Sequence, residues 1–380
     1  MSVSLASVCQ ALVKSKLFTP DQVAALRKRW PGNSAATLQA DDFCNWLLEQ
    51  RQLTSYQATR ISRGLSDLIA LGDYTLLEWI GAGRMAGVFK ARHRLGQIVA
   101  IKILPTAKAN DRVAFGRFHR EARLAVKLEH ANIVQTFHRG NADGHHFIVM
   151  EYIEGVTLDD VYTKRAKLEP AEAVRIGFQV LLGLQHMKLN GMVHRDLKPA
   201  NLALLGAGDP ARPGSLLAAS VKILDIGLGR ALFEEAAPSA EANLTTAGTI
   251  VGSPAYMAPE QFKDAHQTDI RSDIYSVGCL LYEALAGQLP FVARTVIQLM
   301  LMHATGTPRA LREVNPLVSA PLAAAVTRMM HKEPAQRPQQ PEQAAAELKA
   351  CLQGQDVALS AAPPQASAEY LQWVNALDVD

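Results

Sequence analysis

The sequence predicts an α+β chain in which a short helical segment precedes a β-rich section and then a larger helical one. Three observations carry this. Apolar residues recur at helical spacing through residues 1–70: in Leu5, Val8, Leu12 and Val13, in Val23, Leu26 and Trp30, in Phe43, Trp46 and Leu47, and around Ile61, Leu65 and Leu68. From residue 73 the pattern changes to strand-like runs, in Asp73-Tyr74-Thr75-Leu76-Leu77, Val99-Ala100-Ile101-Lys102 and Phe147-Ile148-Val149-Met150-Glu151-Tyr152-Ile153. Beyond Gly155 and Val156 the helical period returns, from Leu158 to about Lys164, from Ala171 to about Asn190 and, last, from Pro341 to about Leu352.

In the first segment Thr19-Pro20-Asp21 and Asp41-Asp42 mark helix starts and Pro31-Gly32-Asn33 marks a break, which gives three or four short helices in a small bundle. No cluster in it has metal or catalytic spacing, so it is expected to pack against the rest of the chain or against another copy; a docking or regulatory module is the alternative. A further helix is expected from about Val113 to Leu128. Residues 206–215 are rich in Gly and Pro and read as a surface loop between two strands. After the last helix Ala361-Ala362-Pro363-Pro364 has linker composition, and the short apolar Tyr370-Leu371-Gln372-Trp373-Val374 is expected to dock on its own domain.

Composition narrows the function classes. The 380 residues leave room for about two to three domains, and 48% hydrophobic with 20% charged residues favours a large core over disorder. A net charge of +3 without a clustered basic stripe gives no reason to propose nucleic acid as a partner. Cys9, Cys44, Cys279 and Cys351 are far apart and form neither a disulfide framework nor a zinc spacing, so a reducing cytoplasm is the expected location. Neither a signal peptide nor a membrane span is expected; the most apolar stretch, 274–292, contains Glu283 and Gln288 and reads as a buried helix.

The chemistry concentrates in His194-Arg195-Asp196-Leu197-Lys198-Pro199-Ala200-Asn201, where one short loop carries a carboxylate, an ammonium and a carboxamide. Phosphoryl transfer from ATP to a hydroxyl needs that set: a base for the hydroxyl proton, a cation for charge on the moving phosphate and an oxygen ligand for Mg²⁺. Asp196, Lys198 and Asn201 suit these tasks in that order. With Asp225-Ile226-Gly227 downstream and Val99-Ala100-Ile101-Lys102 upstream, the series resembles the Hanks-type (eukaryotic-like) bacterial serine/threonine protein kinases, and the Lys198-Pro199 pair is similar to their serine/threonine branch.

The resemblance covers residues 73 to about 352 and implies a two-lobed protein-kinase fold, with a small β-rich lobe over about 73–154 and a larger helical lobe over about 155–352. Residues 1–70 are then a helical N-terminal module whose role the resemblance does not assign, with protein–protein contact or self-association as the alternative to packing, and 353–380 a C-terminal tail. The resemblance further implies ATP and Mg²⁺ as cofactors and protein Ser/Thr hydroxyls as substrates. Gly81, Ala82 and Gly83 would approach the ATP phosphates; the third glycine of that motif is replaced by Ala86, with Gly87 one place late. Val88 and Ala100 would lie over the adenine ring, Ala203 would also belong to the nucleotide site, Met150 would guard the pocket behind the adenine, and the backbone of Glu151 and Ile153 would bind the base. Lys102 would reach the α- and β-phosphates, aimed by Glu121; Asn201 and Asp225 would hold Mg²⁺.

The activation segment runs from Gly229 to Glu260 and ends in an intact Ala258-Pro259-Glu260. Thr245, Thr246 and Thr249 are its phosphorylation candidates, and Arg195 is the residue that would pair with the phosphate. Asp273 is expected to hold the catalytic loop or to serve as an ordinary N-terminal helix carboxylate. Glu260 and Arg337 are expected as a buried ion pair. Two alternatives share the fold: a pseudokinase scaffold, prompted by Ala86 and the long 206–215 loop, and a small-molecule kinase, opposed by the complete Ala-Pro-Glu segment and Lys198.

Overall fold

The computed structural model describes residues 3–32, 39–82, 87–105, 111–225, 253–263, 268–352 and 373. The chain divides into two compact units. One comprises 1–122, 136–152 and 369–380; the other comprises 123–135 and 153–368.

The first unit opens with four helices, α1 (Leu5–Lys14), α2 (Pro20–Arg29), α3 (Gln39–Glu49) and α4 (Ser55–Ser62). Their starts are chemically marked: Thr19 and Thr54 each take part in a capping box, with Gln22 and Gln57 three residues on. Asp41 and Asp42 lie in the first turn of α3, two residues inside its start. The apolar pattern around Ile61, Leu65 and Leu68 is not one helix, because Gly64 at φ +71° ends α4 and leaves Leu65 exposed. Val8, Leu12, Phe43, Leu47 and Ile61 are fully buried and form the core of this bundle.

The strands β1 (Ala70–Leu71), β2 (Tyr74–Ala82), β3 (Gly87–His93), β4 (Ile98–Ile103), β5 (Thr136–Ala142) and β6 (His145–Glu151) form one antiparallel sheet in the order β1-β2-β3-β4-β6-β5. Strand alternation gives it two distinct faces. Tyr74, Leu76, Phe89, Ala91, Val99, Ile101, Phe147 and Val149 build a core on one. Tyr56 of α4 packs into that core, its ring 5.5 Å from Phe89, and the buried Gln57 amide donates to the Leu76 carbonyl (2.8 Å) beside a β-bulge. Tyr56 and Gln57 thus bring α4 of the helical module onto this sheet face. The other face carries Lys102 paired with Val88 and Ile148, and Ile148 packs on Phe118 and Ala122 of helix α5 (Arg112–Ala125).

In the second unit α6 (Leu158–Lys164) and α7 (Pro170–Leu189) match the expected helices within a residue or so at either end. Helix α7 is buried on nearly every side and packs against α9 (Ile270–Ala286), the terminal helix α13 (Pro341–Ala350) and a three-stranded sheet of β7 (Val156–Thr157), β8 (Leu202–Leu205) and β9 (Ser220–Ile223). Intervening helices are α8 (Pro259–Lys263), α10 (Val296–Thr305), α11 (Leu311–Val314) and α12 (Ala320–Met329). The 206–215 stretch is a run of turns, and the buried Leu216 that follows donates its N–H to Glu172 (2.9 Å). Among the described residues no helix is long and apolar enough to cross a membrane.

Candidate active site

The catalytic-loop candidates are assembled by backbone contacts. Asp273, fully buried in the first turn of α9, accepts the N–H groups of His194 (2.7 Å) and Arg195 (2.8 Å) with its two carboxylate oxygens. It therefore holds the loop; the capping role in α9 belongs to Asp269, which accepts from Arg271 N–H. Burial pushes the Asp273 carboxyl pKa up, and the two amides oppose this. Arg195 sits at φ +68°, a conformation uncommon outside glycine that the surroundings must hold. They do so: its carbonyl accepts from the buried Gln261 amide (3.0 Å) and its guanidinium donates to the Thr268 carbonyl (3.4 Å).

Beyond that turn, Asp196 Oδ2 pairs with Lys198 Nζ at 2.9 Å. Asp196 Oδ1 is buried with no hydrogen-bond partner among the described residues. An orphaned carboxylate oxygen is costly unless a substrate donor meets it. Asn201, in a 3₁₀ turn, is buried and donates its amide nitrogen to the Asp196 carbonyl (2.8 Å), so a metal would meet its amide oxygen. The Asn201 carbonyl in turn accepts Leu224 N–H (2.8 Å), which sets Asn201 and Asp225 at one end of the β8–β9 ribbon. Asp225 adopts φ +54°, and Ala203 is buried on β8 opposite Lys222.

Strand β9 is itself pinned by a buried amide network. Asn132 donates to Gln179 (3.2 Å) and to the Val221 carbonyl (2.9 Å), while Gln179 accepts Val221 N–H (2.9 Å) and donates to the Ala219 carbonyl (3.1 Å). Neither Gln179 nor Gln261 stands out in the sequence, since amide side chains are common on surfaces and only burial gives them this role. At the end of the Ala-Pro-Glu segment, Glu260 forms a bidentate pair with the buried Arg337 (2.6 and 2.8 Å) and accepts from Ser272 (2.7 Å). Burial works against the charged Glu260, but Arg337 wins and holds its pKa below the ordinary value. Sequence reasoning missed a second, partly buried contact there, Tyr256 hydroxyl to Glu283 at 2.6 Å; desolvation raises the Glu283 pKa to about 7.

The first unit holds the remaining candidates. Cross-strand pairing puts Val88 opposite Lys102 and Ala100 opposite Met150, all on the face to which α5 packs. Lys102, Ala100 and Met150 are buried. Glu121 lies on α5 beside Ala122, which packs on that face. Gly81 pairs with Val88 and Ala82 with Gly87, at the end of the β2–β3 hairpin; Glu151 ends β6 and Ile153 follows it. Gly83, Ala86, Thr245, Thr246 and Thr249 fall outside the described residues, as do Ile226 and Gly227.

Comparison with known proteins now bears on the class. Residues 74–348 match the protein kinase domain family model. The chain is 34% identical over 279 residues to the serine/threonine-protein kinase PrkC of Bacillus subtilis, covering 73% of this chain and 40% of that protein. It is 33% identical over 293 residues to the serine/threonine-protein kinase PknB of Mycobacterium leprae, covering 76% and 43% respectively. The crystal structure of the Mycobacterium tuberculosis PknI kinase domain superposes with a TM-score of 0.56 at 25% identity, covering 74% of this chain and 98% of that one. The fold is thus that of a protein kinase. The chain belongs to the protein kinase family, among the Hanks-type bacterial serine/threonine kinases. It spans about two fifths of the length of the curated relatives it matches.

Proposed function

We propose that the protein transfers the γ-phosphoryl group of ATP to serine and threonine hydroxyls of protein substrates, through the residues the family resemblance assigns. The observation that carries the reading is the Asp196 carboxylate, one oxygen paired with Lys198 and the other buried and unpartnered among the described residues. A substrate hydroxyl oxygen attacks the γ-phosphorus, the bond to the β–γ bridging oxygen breaks, ADP leaves, and the hydroxyl proton passes to Asp196 Oδ1. Lys198 holds Asp196 in place and offsets charge on the moving group. Lys102, on the sheet face shared with Val88, Ala100 and Met150, supplies charge to the α- and β-phosphates, with Glu121 as its partner.

The donor set fits magnesium. Asn201 commits its amide nitrogen to the Asp196 carbonyl, which leaves its oxygen as the donor, and Asp225 supplies a carboxylate at the same ribbon end. Among the described residues no three His, Cys, Asp or Glu are gathered, and magnesium held through phosphate oxygens needs only one or two carboxylates. When bound, the ion neutralises charge on those oxygens.

The same reading assigns residues 73–352 to catalysis, 1–70 to a supporting and contact-making module and 353–380 to a tail, with autophosphorylation at Thr245, Thr246 or Thr249 and a cytoplasmic location. The test is transfer from labelled ATP to a Ser/Thr protein substrate in the presence of magnesium. Asp196→Asn should lower the rate by about 10²–10⁴-fold. Nucleotide binding without transfer at any magnesium concentration would replace the enzyme by the pseudokinase scaffold.

A further inference from the structure

The sheet face opposite Lys102 holds an aromatic socket that the proposed catalysis does not use. Tyr74 and His93 pair across β2 and β3, with ring centroids 5.0 Å apart. Tyr74 donates its hydroxyl to His138 Nε2 (2.7 Å), whose Nδ1–H donates to the Arg139 carbonyl (3.1 Å), and meets Phe147 edge-on, so these strands form the walls. The Leu95 N–H points at His93 Nδ1 (3.3 Å), which keeps that nitrogen an unprotonated acceptor. Trp373 fills this site. Its indole is 2% exposed, lies edge-on to His93 and Phe137 (5.3 Å each) and donates Nε1–H to His93 Nδ1 at 2.9 Å.

A large ring with one N–H donor satisfies every feature of the socket, and tryptophan alone among the side chains combines the two in this form. Phenylalanine would leave His93 Nδ1 with the longer Leu95 N–H contact alone. The occupant comes from past the end of α13, after a stretch from Leu352 that can span about 70 Å when extended. Carriage on the same chain gives the anchor an effective concentration of about millimolar, far above that of a second copy at micromolar concentration.

We propose that Tyr74, His93, Phe137 and His138 form a docking socket for the chain's own C-terminal segment, anchored by Trp373. Seating the anchor supports the sheet whose opposite face carries Lys102, Ala100 and Met150, and so raises phosphotransfer. The socket goes beyond the kinase reading, and its binding test needs no ATP, so failure of one leaves the other standing.

The experiment uses the full chain carrying Trp373→Ala and a fluorescent peptide of residues 366–380 added in trans, read by anisotropy. The variant should bind the peptide saturably, and the unaltered chain roughly tenfold or more weakly because its own tail occupies the site. A peptide with alanine at the anchor position should not bind, and adding His93→Ala should weaken binding by roughly tenfold. Phosphotransfer by Trp373→Ala should fall and recover as peptide is added, a rescue that loss of a mere space-filler would not show. Equal binding by both chains, or none by a folded variant, overturns the proposal. Should Trp373→Ala not fold, Trp373→Phe keeps the ring, loses the donor and serves in the same assay. In the unaltered chain labelled with 5-fluorotryptophan, the fluorine resonance missing from Trp373→Phe should be shielded from a soluble relaxation agent; an exposed resonance overturns the proposal. So does a dimer that Trp373→Ala dissociates, because the anchor would then belong to a second copy.

Discussion

Asp273 and His93 show how single side chains set local geometry by accepting two donors each. Asp273 accepts the His194 and Arg195 amides on separate oxygens. In Asp273→Asn only one oxygen remains, so one buried N–H loses its partner at a cost of about 1–3 kcal/mol. The expected outcome is a lower kcat with little change in the KM for ATP, measured by steady-state kinetics. His93 accepts Trp373 and Leu95 at Nδ1. Burial lowers its pKa; Arg94 and His138 push the same way and Asp73 opposes them, with Tyr74 and Trp373 as the uncharged neighbours. A histidine with a depressed folded pKa contributes stability that is present above the ordinary value near 6.5 and is lost as pH falls. Thermal unfolding should show the margin of the unaltered chain over His93→Gln narrowing between about pH 7 and pH 5.

At the scale of elements, the chemistry depends on where β8 and β9 lie. Gly155, just before β7, approaches so closely that an added Cβ would meet the Leu204 carbonyl oxygen at 2.5 Å. Backbone cannot rotate aside as a flexible side chain does. Gly155→Ala must therefore displace β8, which carries Ala203 and continues from Asn201, and should cost about 1–3 kcal/mol, read as a lower thermal midpoint. Element types and most boundaries were legible because helical period, caps and strand runs are local signals. Leu158–Lys164 is one example and the Thr19 capping box another. The pattern through Leu65 and Leu68 misleads because period alone does not register the left-handed turn at Gly64.

For the whole molecule, two partly buried carboxylates should give opposite pH slopes. Arg337 holds the Glu260 pKa below its ordinary value despite burial, so this pair contributes stability present above the ordinary glutamate range and lost as pH falls through the folded pKa. Burial raises the Glu283 pKa to about 7, so the folded state keeps a proton that the unfolded state has released; its contribution is full below about pH 4.5 and lost as pH rises towards 7. Thermal midpoints across pH 3.5 to 8 check both signs. Glu260→Gln should be destabilised near neutrality by about 3–5 kcal/mol, because a buried Arg337 is left without its counter-ion, and less so in acid. Glu283→Gln should flatten the decline between about pH 4.5 and 7.

The amino-acid order alone determined the family, the secondary structure and the residues offered for chemistry. The proposed phosphoryl transfer would need a base, cations and metal ligands at fixed offsets along short loops, so Asp196, Lys198, Asn201 and Asp225 stand out locally as its candidates. Only the tertiary structure decided which distant groups hold them: Asp273 with both loop amides, Gln179 and Asn132 on β9, Gln261 under Arg195. The module over one sheet face and the indole of Trp373 seated on His93 were decided there too. Those partners are tens to hundreds of residues apart, and their roles come from burial, which turns an ordinary amide or ring into a required partner once water is excluded.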